Sequence, residues 1–376
     1  MNIAIVDPYY ALFLAQFYQA HPAVRSQSYA KQHRTLLDQC FGTADYYSRN
    51  LAPIGHDATE LIVNAEPLQR AWGREHGMAL ASPGLRDQLA RMPYLNRLVQ
   101  PVDWLQPIVL AQLRDLKPDL LYCQDLTVLT PETLREVRRY IPHIVGQIAS
   151  PIPDALDPTV FDLIVTAAPH FVPKFRERGV ASAYLKIGFE PTVLKRLKAK
   201  PGHYGAVFIG GFSRHHAGGS RVFEQLVGDV PVDFWGYGTD DLAQNSPILD
   251  HFHGPAWGIA MYQTLASAKL CVNRHVDVAG EYAGNMRLFE ATGVGTMLIT
   301  DWKKNLGEFF EPGKEVETYR SPEELADKVR YYLSHDSARA KIARAGQRRT
   351  LREHTYARRM KELDRILRTH FGKRKR

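Results

Sequence analysis

Short apolar runs alternate with longer segments of helical periodicity along the first half of the chain. This alternation is typical of a parallel sheet whose strands are joined by helices. The predicted strands are Ile3–Val6, Glu60–Val63, Asp119–Cys123, His143–Ile148, Phe161–Thr166 and Ser182–Ile187. The predicted helices cover residues 30–40, 66–77, 103–115, 131–139 and 170–178. The first half therefore predicts one α/β domain.

A second alternation begins at Tyr204 and predicts a second α/β domain. Its predicted strands are Ala206–Ile209, Val232–Trp235 and Leu270–Asn273, and a helix covers residues 221–228. Ser321 and Glu324 have the spacing of a capping box and predict a helix start. A last helix has an apolar stripe at helical spacing, formed by Tyr356, Met360, Leu363 and Leu367. The predicted domains are 1–195 and 203–355, followed by a basic C-terminal helix, 356–376.

The segment GNMRLFEATGVGTMLIT, residues 284–300, combines a helix, a stop and a buried strand. Gly293 and Gly295 predict the helix stop, and the apolar run 297–299 predicts a strand of a parallel sheet. Glu290 lies among core positions of this helix, and a buried acid needs a partner. Two partners fit: the vicinal hydroxyls of a ribose, or the guanidinium of Arg287 three residues earlier.

This segment resembles the signature of the glycosyltransferase group 1 family, in its spore-maturation CgeB-type branch. Two further pieces occur in the order of that family, EFFEPGKEVETYRSPEELADKVRYYL at 308–333 and ARAGQRRTLREHTYARR at 343–359. The resemblance covers about the last 170 residues well and the first half loosely.

The resemblance implies the GT-B fold, in which two Rossmann-like parallel-sheet domains face each other across a cleft. It further implies that the first domain binds an acceptor, such as a glycan or a lipid-linked sugar, and that the second binds a nucleoside-diphosphate sugar. No metal and no cofactor beyond this co-substrate is expected. The C-terminal helix is expected to cross back to the first domain.

Related glycosyltransferases have two glutamates separated by seven residues, of which the second holds the ribose. Glu290 matches the second glutamate. The first would fall at Tyr282, so this chain departs from the pattern, and Glu281 lies one position away. The resemblance therefore supports a sugar-donor role for Glu290 better than one for Glu281.

Two loops that follow strands are candidates for binding the diphosphate, because parallel sheets bind ligands beyond the carboxyl ends of their strands. The first contains Gly210, Gly211, Ser213, Arg214 and His215. Its glycines allow close approach to the backbone, and the following helix offers unpaired amides. The alternative is an ordinary flexible turn with solvated side chains.

The second loop leads through Gly284, Asn285 and Met286 into the helix predicted within the segment 284–300. We expect the amides of residues 283–286 to begin the helix and to favour a phosphate or a sugar hydroxyl. Arg287 is either a counter-charge for phosphate or the structural partner of Glu290. Tyr237 and the segment 252–257 are candidates for a nucleobase wall, or are ordinary core aromatics.

In the first half, Asp7, Asp125, Ser150 and His170 lie at or just after strand ends. Glycosyl transfer needs either a base for the acceptor hydroxyl or hydrogen bonds to the acceptor and the leaving phosphate. Asp125 and His170 are the candidate catalytic residues. The alternative for each is a loop-capping or solvent-facing role.

Composition narrows the class of protein. A hydrophobic content of 45% with 23% charged residues is typical of a soluble globular protein. The start MNIAIVDP favours a first strand over a signal peptide, and three unpaired cysteines fit a reducing cytoplasm. The sequence has no Asp-x-Asp motif and no plausible set of zinc ligands, which argues against a metal-dependent transferase of the other common fold. It also lacks the GxGxxG motif of dinucleotide enzymes and the GxxxxGK[ST] motif of P-loop NTPases, which argues against both of these classes.

The positive charge is concentrated at one end. Residues 339–376 contain fifteen Lys or Arg and three acids, whereas the whole chain has a net charge of +8. This segment is either a solvated helix face or a surface attracted to anionic membrane lipids, which would place the protein at the inner face of the membrane. Nucleic-acid binding is not expected, because no basic groove with interleaved aromatic residues accompanies the charge.

The sequence therefore predicts a nucleotide-sugar-dependent glycosyltransferase that acts in cell-envelope or spore polysaccharide biosynthesis. Two alternatives stay open. One is a sugar-nucleotide epimerase on the same fold. The other is a catalytically inactive GT-B scaffold, which the displaced first glutamate makes plausible.

Overall fold

The computed structural model describes residues 1–79, 104–198, 200–213 and 217–372. The chain forms two compact units. The first comprises residues 1–148, 152–164 and 177–181, and the second comprises 149–151, 165–176 and 182–376. The predicted domain boundary near residue 195 and the crossing of the C-terminal helix stay predictions.

The first sheet has six strands in the order β2-β1-β3-β4-β5-β6. These are β1 (Asn2–Asp7), β2 (Asp57–Ile62), β3 (Leu120–Cys123), β4 (His143–Gln147), β5 (Leu163–Thr166) and β6 (Ala181–Tyr184). The helices along the first half of the chain are α1 (Ala11–Ala20), α2 (Tyr29–Leu37), α3 (Tyr46–Leu51), α4 (Glu66–Glu75), α5 (Leu105–Leu116), α6 (Pro131–Val137) and α7 (Phe171–Glu177). β1 pairs in parallel with β2 on one side and with β3 on the other.

The second sheet has five strands in the order β11-β10-β9-β7-β8. These are β7 (Tyr204–Gly211), β8 (Val232–Tyr237), β9 (Ala268–Asn273), β10 (Met297–Asp301) and β11 (Glu317–Tyr319). Its helices are α8 (Ala217–Asp229), α9 (Gly258–Ser267), α10 (Arg287–Gly293), α11 (Pro322–Ser334), α12 (Asp336–Glu353) and α13 (Tyr356–Phe371). β7 pairs in parallel with β8 and β9, and β10 pairs in parallel with β9 and β11.

Local sequence explains where several helices begin and end. The side chain of Thr130 accepts a hydrogen bond from the amide of Thr133, and Ser321 accepts one from the amide of Glu324, as N-cap residues do. Gly295 has a φ of 88°, which confirms the predicted stop after α10. The predicted stripe of α13 is buried along its length.

The apolar strands form the cores of both sheets, and Cys123 and Cys271 are buried within them as free thiols, as expected. Within the residues that the structure describes, no helix is both long and apolar enough to cross a membrane.

Candidate functional site

In the second sheet, β8 follows β7 along the chain and pairs with one side of β7, whereas the next strand, β9, pairs with its other side. The direction of strand order therefore changes between β7 and β9, which makes this place a topological switch point. Parallel sheets bind ligands where the strand order reverses in this way. The predicted loop residues Gly210 and Gly211 are the last two residues of β7, next to this point.

Close packing explains why glycine is required at the ends of β7 and β8. A Cβ at Gly210 would stand 2.6 Å from the ring of Phe208, and a Cβ at Gly236 would stand 1.7 Å from the carbonyl oxygen of Gly210. Glycine is therefore what lets the ends of β7 and β8 pair. Ser213 follows β7 and is half-buried, while Arg214 and His215 lie outside the described residues.

The start of α8 already holds an anionic group of the chain itself. The amide of Gly218 donates to Oδ2 of Asp277 at 3.2 Å, and the Arg274 guanidinium pairs with Oδ1 of the same carboxylate at 3.2 Å. Asp277 is about half exposed. A helix amide and a guanidinium that share one carboxylate form an arrangement that also suits a phosphate.

A cavity of about 240 Å³ opens at the same edge of the sheet. Its lining includes Arg274 after β9, Asp301 and Lys303 at the end of β10, and Tyr319 and Arg320 at the end of β11. Nε of Arg274 is buried and has no hydrogen-bond partner, so this donor is left unused beside the cavity.

The loop before α10, residues 274–286 and called the signature loop below, is held by side chains. The amide of Ala283 donates to Oδ1 of Asn305 at 2.6 Å, and Nδ2 of Asn305 donates back to the carbonyl of Ala283 at 3.2 Å. The amide of Gly284 donates to Nε2 of His275 at 3.3 Å. The expectation that the amides of residues 283–286 begin the helix was wrong, because α10 begins at Arg287 and the first two amides are used by side chains.

Asn285 and Met286 complete this loop. Nδ2 of Asn285 donates to Oδ1 of Asn273 at 2.9 Å, and Nδ2 of Asn273 donates to the hydroxyl of Thr300 at 2.9 Å. The carbonyl of Met286 accepts the amides of Phe289 and Glu290, which makes Met286 the residue from which α10 starts. The loop is thus tied to the ends of both β9 and β10.

Glu290 is buried and forms an ion pair with Arg287, with 2.8 Å between Nη1 and Oε2. Burial raises the pKa of Glu290, and the Arg287 charge and a hydrogen bond from Tyr262 partly offset this effect. Nε of Arg287 donates to the carbonyl of Ile209 at 3.2 Å. The structure therefore shows the structural alternative for Arg287, which joins Glu290 to the end of β7.

His170 lies beside the signature loop, within the second unit. Its Nε2 lies 3.2 Å from the carbonyl of Val278, so Nε2 carries the proton and Nδ1 is left as a buried acceptor without a partner. Burial lowers the pKa of His170, which favours the neutral ring. The ring stacks on Tyr282 at 5.1 Å.

Glu281 is exposed and pairs with Lys304 at 2.9 Å, and this contact lowers the pKa of Glu281. Asp125 caps a turn. Its Oδ1 accepts hydrogen bonds from the amides of Thr127 and Val128 and from the Thr127 hydroxyl, at 2.7–2.9 Å. This is the loop-capping alternative, and a catalytic role for Asp125 stays a prediction.

A polar cluster at the switch point of the first sheet was not predicted as a unit. Asp7 ends β1, and its Oδ2 lies 3.3 Å from the Thr43 hydroxyl, which is also 3.0 Å from Oε1 of Gln124. The hydroxyl of Tyr9 and Nε2 of Gln124 are buried without partners. Burial raises the pKa of Asp7 to about 7, with a smaller contribution from the carboxylate of Glu60.

Comparisons with known proteins agree with this architecture. Residues 214–365 match a family model described as glycosyl transferase-like, and no curated protein matches the chain. Sucrose-phosphate synthase from Thermosynechococcus elongatus has a TM-score of 0.58 at 12% identity over 99% of both chains. Anabaena HepE in complex with UDP-glucose has a TM-score of 0.56 at 14% identity, over 98% of this chain and all of that chain.

The chain has the GT-B fold. A glycosyltransferase from Rickettsia africae is also similar, with a TM-score of 0.57 at 9% identity over 99% of both chains. The predicted fold class of two Rossmann-like parallel-sheet domains is therefore confirmed. The spore-maturation branch stays a prediction.

Within this GT-B chain, sequence reasoning missed the His275–Asp301 pair, the Asn273–Asn285 pair and the Arg274–Asp277 contact. All three join residues at the ends of β9 and β10 or in the loop that follows β9. The usable signal was positional, because polar residues directly after two buried strands meet at one edge of a parallel sheet. In the described part of the chain, no group of three or more His, Cys, Asp or Glu side chains could hold a metal ion.

Proposed function

We propose that this protein is a glycosyltransferase that takes its sugar from a nucleoside-diphosphate sugar. The observation that carries the proposal is the arrangement at the second switch point, where the start of α8 and Arg274 hold the carboxylate of Asp277. The match to the glycosyl transferase-like family model covers this region, and HepE, a protein of similar fold, binds UDP-glucose.

In this proposal the second domain binds the sugar donor. The diphosphate replaces or joins the Asp277 carboxylate at the start of α8, and Arg274 neutralises its charge without a metal ion. Glu290 binds the ribose and shares its carboxylate with Arg287. The stacked rings of Tyr237 and Trp257, 5.7 Å apart at the end of β8, form the nucleobase wall.

The first domain binds the acceptor, a glycan or a lipid-linked sugar. Asp7 is the best-placed group there, because it lies at the first switch point beside the unpartnered Tyr9 hydroxyl and Gln124 amide. A carboxyl with a pKa of about 7 can take the proton of an acceptor hydroxyl near neutral pH. His170, which lies in the second unit, is the second candidate for taking this proton.

The donor site is tested by calorimetric titration of UDP, ADP, GDP and TDP into the wild type and two variants. Asp277→Ala removes the competing carboxylate, so we expect nucleotide affinity to rise. Arg274→Gln removes a counter-charge, so we expect affinity to fall about tenfold. Asp327→Ala is a matched control, because Asp327 is also exposed and pairs with an arginine three residues away. Unchanged nucleotide affinity in both Asp277→Ala and Arg274→Gln would contradict the proposal that the diphosphate binds at the start of α8.

An inactive scaffold is the second candidate function, because the Glu290 carboxylate is already paired with Arg287 and Tyr282 occupies the place of the first glutamate. No thermal stabilisation by any nucleotide or nucleotide sugar would favour the scaffold. Product analysis distinguishes a glycosyltransferase from the alternative enzyme, a sugar-nucleotide epimerase. A transferase releases nucleoside diphosphate and a glycosylated product, whereas an epimerase returns an altered nucleotide sugar.

The basic segment 339–376 is proposed to contact anionic lipids at the inner membrane face when the acceptor is lipid-linked. Co-sedimentation with vesicles that contain phosphatidylserine tests this. We expect binding at low salt, loss of binding at about 0.5 M salt because surface charges are then screened, and weaker binding after removal of residues 373–376. Equal binding to neutral vesicles would contradict an electrostatic contact.

A further inference from the structure

His275 lies between a carboxylate and a backbone amide, in the interior of the second domain. Its Nδ1 lies 2.7 Å from Oδ1 of Asp301, and its Nε2 lies 3.3 Å from the amide nitrogen of Gly284. The imidazole is 1% exposed and the Asp301 side chain 9% exposed. Both ring nitrogens are therefore used, one by the end of β10 and the other by the signature loop.

These two contacts fix the tautomer of the ring. A backbone amide can only donate, so Nε2 of His275 must be the acceptor of the Gly284 contact. The proton of the neutral ring is then on Nδ1, where it is donated to Asp301. Burial alone would raise the pKa of Asp301, but the hydrogen bonds from the ring and the backbone amide of His275 and the charge of Lys303 lower it. Asp301 thus stays ionised and accepts both the ring and the backbone amide of His275.

The contact with Gly284 places the loop that leads into α10. A Cβ at Gly284 would stand 2.7 Å from the carbonyl oxygen of Ala167, so this residue has little freedom to move toward that side. Asn285 follows and is tied to Asn273. Two residues later Arg287 begins the helix that contains Glu290.

We propose that His275 is a positioning residue for the binding of the nucleotide. Asp301 holds the ring in the Nδ1–H tautomer, and Nε2 then fixes the Gly284 amide and, through it, the loop from which Arg287 and Glu290 project. This inference rests on the proposed function in one respect, namely that the loop and α10 bind the sugar donor. It adds a histidine–aspartate pair that does not itself touch the ligand.

Two substitutions of His275 separate the two contacts. His275→Asn keeps a donor near the Nδ1 position for Asp301 and leaves Gly284 without an acceptor. His275→Gln can present an oxygen near the Nε2 position and restores that acceptor. We expect His275→Asn to lower UDP affinity about tenfold and to speed hydrogen exchange of the Gly284 amide, and His275→Gln to recover most of both. His335→Asn, an exposed histidine of the same domain, is the matched control.

The wild-type protein gives a readout that needs no variant. Two-dimensional ¹⁵N spectra of the imidazole rings should show His275 as the neutral Nδ1–H form, identified by its absence from the His275→Asn spectrum or, if that variant does not fold, from the His275→Gln spectrum. An Nε2–H or doubly protonated ring at neutral pH would overturn the proposal.

Equal UDP affinity in the wild type and in a folded His275→Asn variant would also overturn it. A wild type that binds no nucleotide at all instead contradicts the proposed function. In that case the tautomer and the Gly284 exchange rate still decide whether His275 fixes the loop, so the two failures are distinguishable.

Discussion

The ring of Tyr282 lies parallel to the imidazole of His170, with an interplanar angle of 11° and 5.1 Å between the ring centroids. The ammonium group of Lys304 also contacts the ring of Tyr282, at 4.3 Å from the ring centroid. By the resemblance described in the sequence analysis, Tyr282 falls at the position expected for the first of the two glutamates. In this chain the position is occupied by an aromatic contact, which joins the segment after β5 to the signature loop.

Tyr282→Ala should destabilise the protein by about 1–2 kcal/mol, because it removes both the ring stack and the cation–π contact. Tyr282→Phe keeps the aromatic ring and should stay within about 0.5 kcal/mol of the wild type. Urea unfolding followed by circular dichroism measures both. Equal destabilisation by the two variants would show that the hydroxyl, and not the ring, makes the important contact.

Arg287→Met should destabilise the protein by about 3–5 kcal/mol, because it leaves the buried Glu290 carboxylate without its cation. The double variant Arg287→Met/Glu290→Gln should recover a large part of this loss, since no uncompensated charge is left. Denaturant unfolding at pH 7 gives both values. The control is Arg330→Met, at an exposed pair with Asp327, which should cost less than about 1 kcal/mol.

Asp7→Asn should make the protein more stable at neutral and alkaline pH. The folded protein holds the Asp7 proton up to a pKa of about 7, whereas the unfolded chain releases it near the ordinary value of 3.8. Wild-type stability therefore falls as the pH rises from about 4 to 7, and the loss is complete above 7. The gain from Asp7→Asn should grow from near zero at pH 4 to about 2–4 kcal/mol at pH 8.

Thermal melts across this pH range measure the effect of Asp7→Asn. Burial also raises the pKa of Glu60 to about 7, so part of the pH dependence should persist in the variant. Asp57→Asn, at an exposed position of β2, is the control and should leave the stability nearly unchanged. A gain for Asp7→Asn that is the same at pH 4 and pH 8 would refute the titration of this carboxyl.

Two glycine-to-alanine substitutions in the second domain should change the stability of the protein in opposite directions. Gly236→Ala should cost about 3 kcal/mol or more, since its Cβ would overlap the carbonyl oxygen of Gly210. Gly228→Ala adds a methyl group in open space within α8 and should stabilise by about 0.5–1 kcal/mol. Differential scanning calorimetry of both variants checks this pair, and a stable Gly236→Ala would show that β7 and β8 can separate at their ends.

The sequence predicted the sheets well, because their central strands are uninterrupted apolar runs bounded by turns. β3, predicted at Asp119–Cys123, lies at Leu120–Cys123. β11 escaped prediction because Glu317–Tyr319 is three residues long and only Tyr319 is buried. Such a strand has no pattern of its own and is defined by its pairing with β10.

The candidate site was predicted unevenly for a similar reason. The Arg287–Glu290 pair was open to prediction because its residues are three apart on one helix. The His275–Asp301 bond joins residues 26 positions apart on neighbouring strand ends, and no periodicity in the sequence marks it. Nor could the sequence show that the amides of Ala283 and Gly284 are used by side chains, since this depends on the turn of the loop.

The carboxylate of Asp277 at the start of α8 means that the protein carries its own competitor for anions. A small ion such as inorganic phosphate would gain little more there than the aspartate it displaces. A nucleoside diphosphate that also reaches contacts elsewhere in the domain can win that exchange. At the proposed donor site, the Asp277 side chain would thus disfavour a small anion relative to a nucleoside diphosphate.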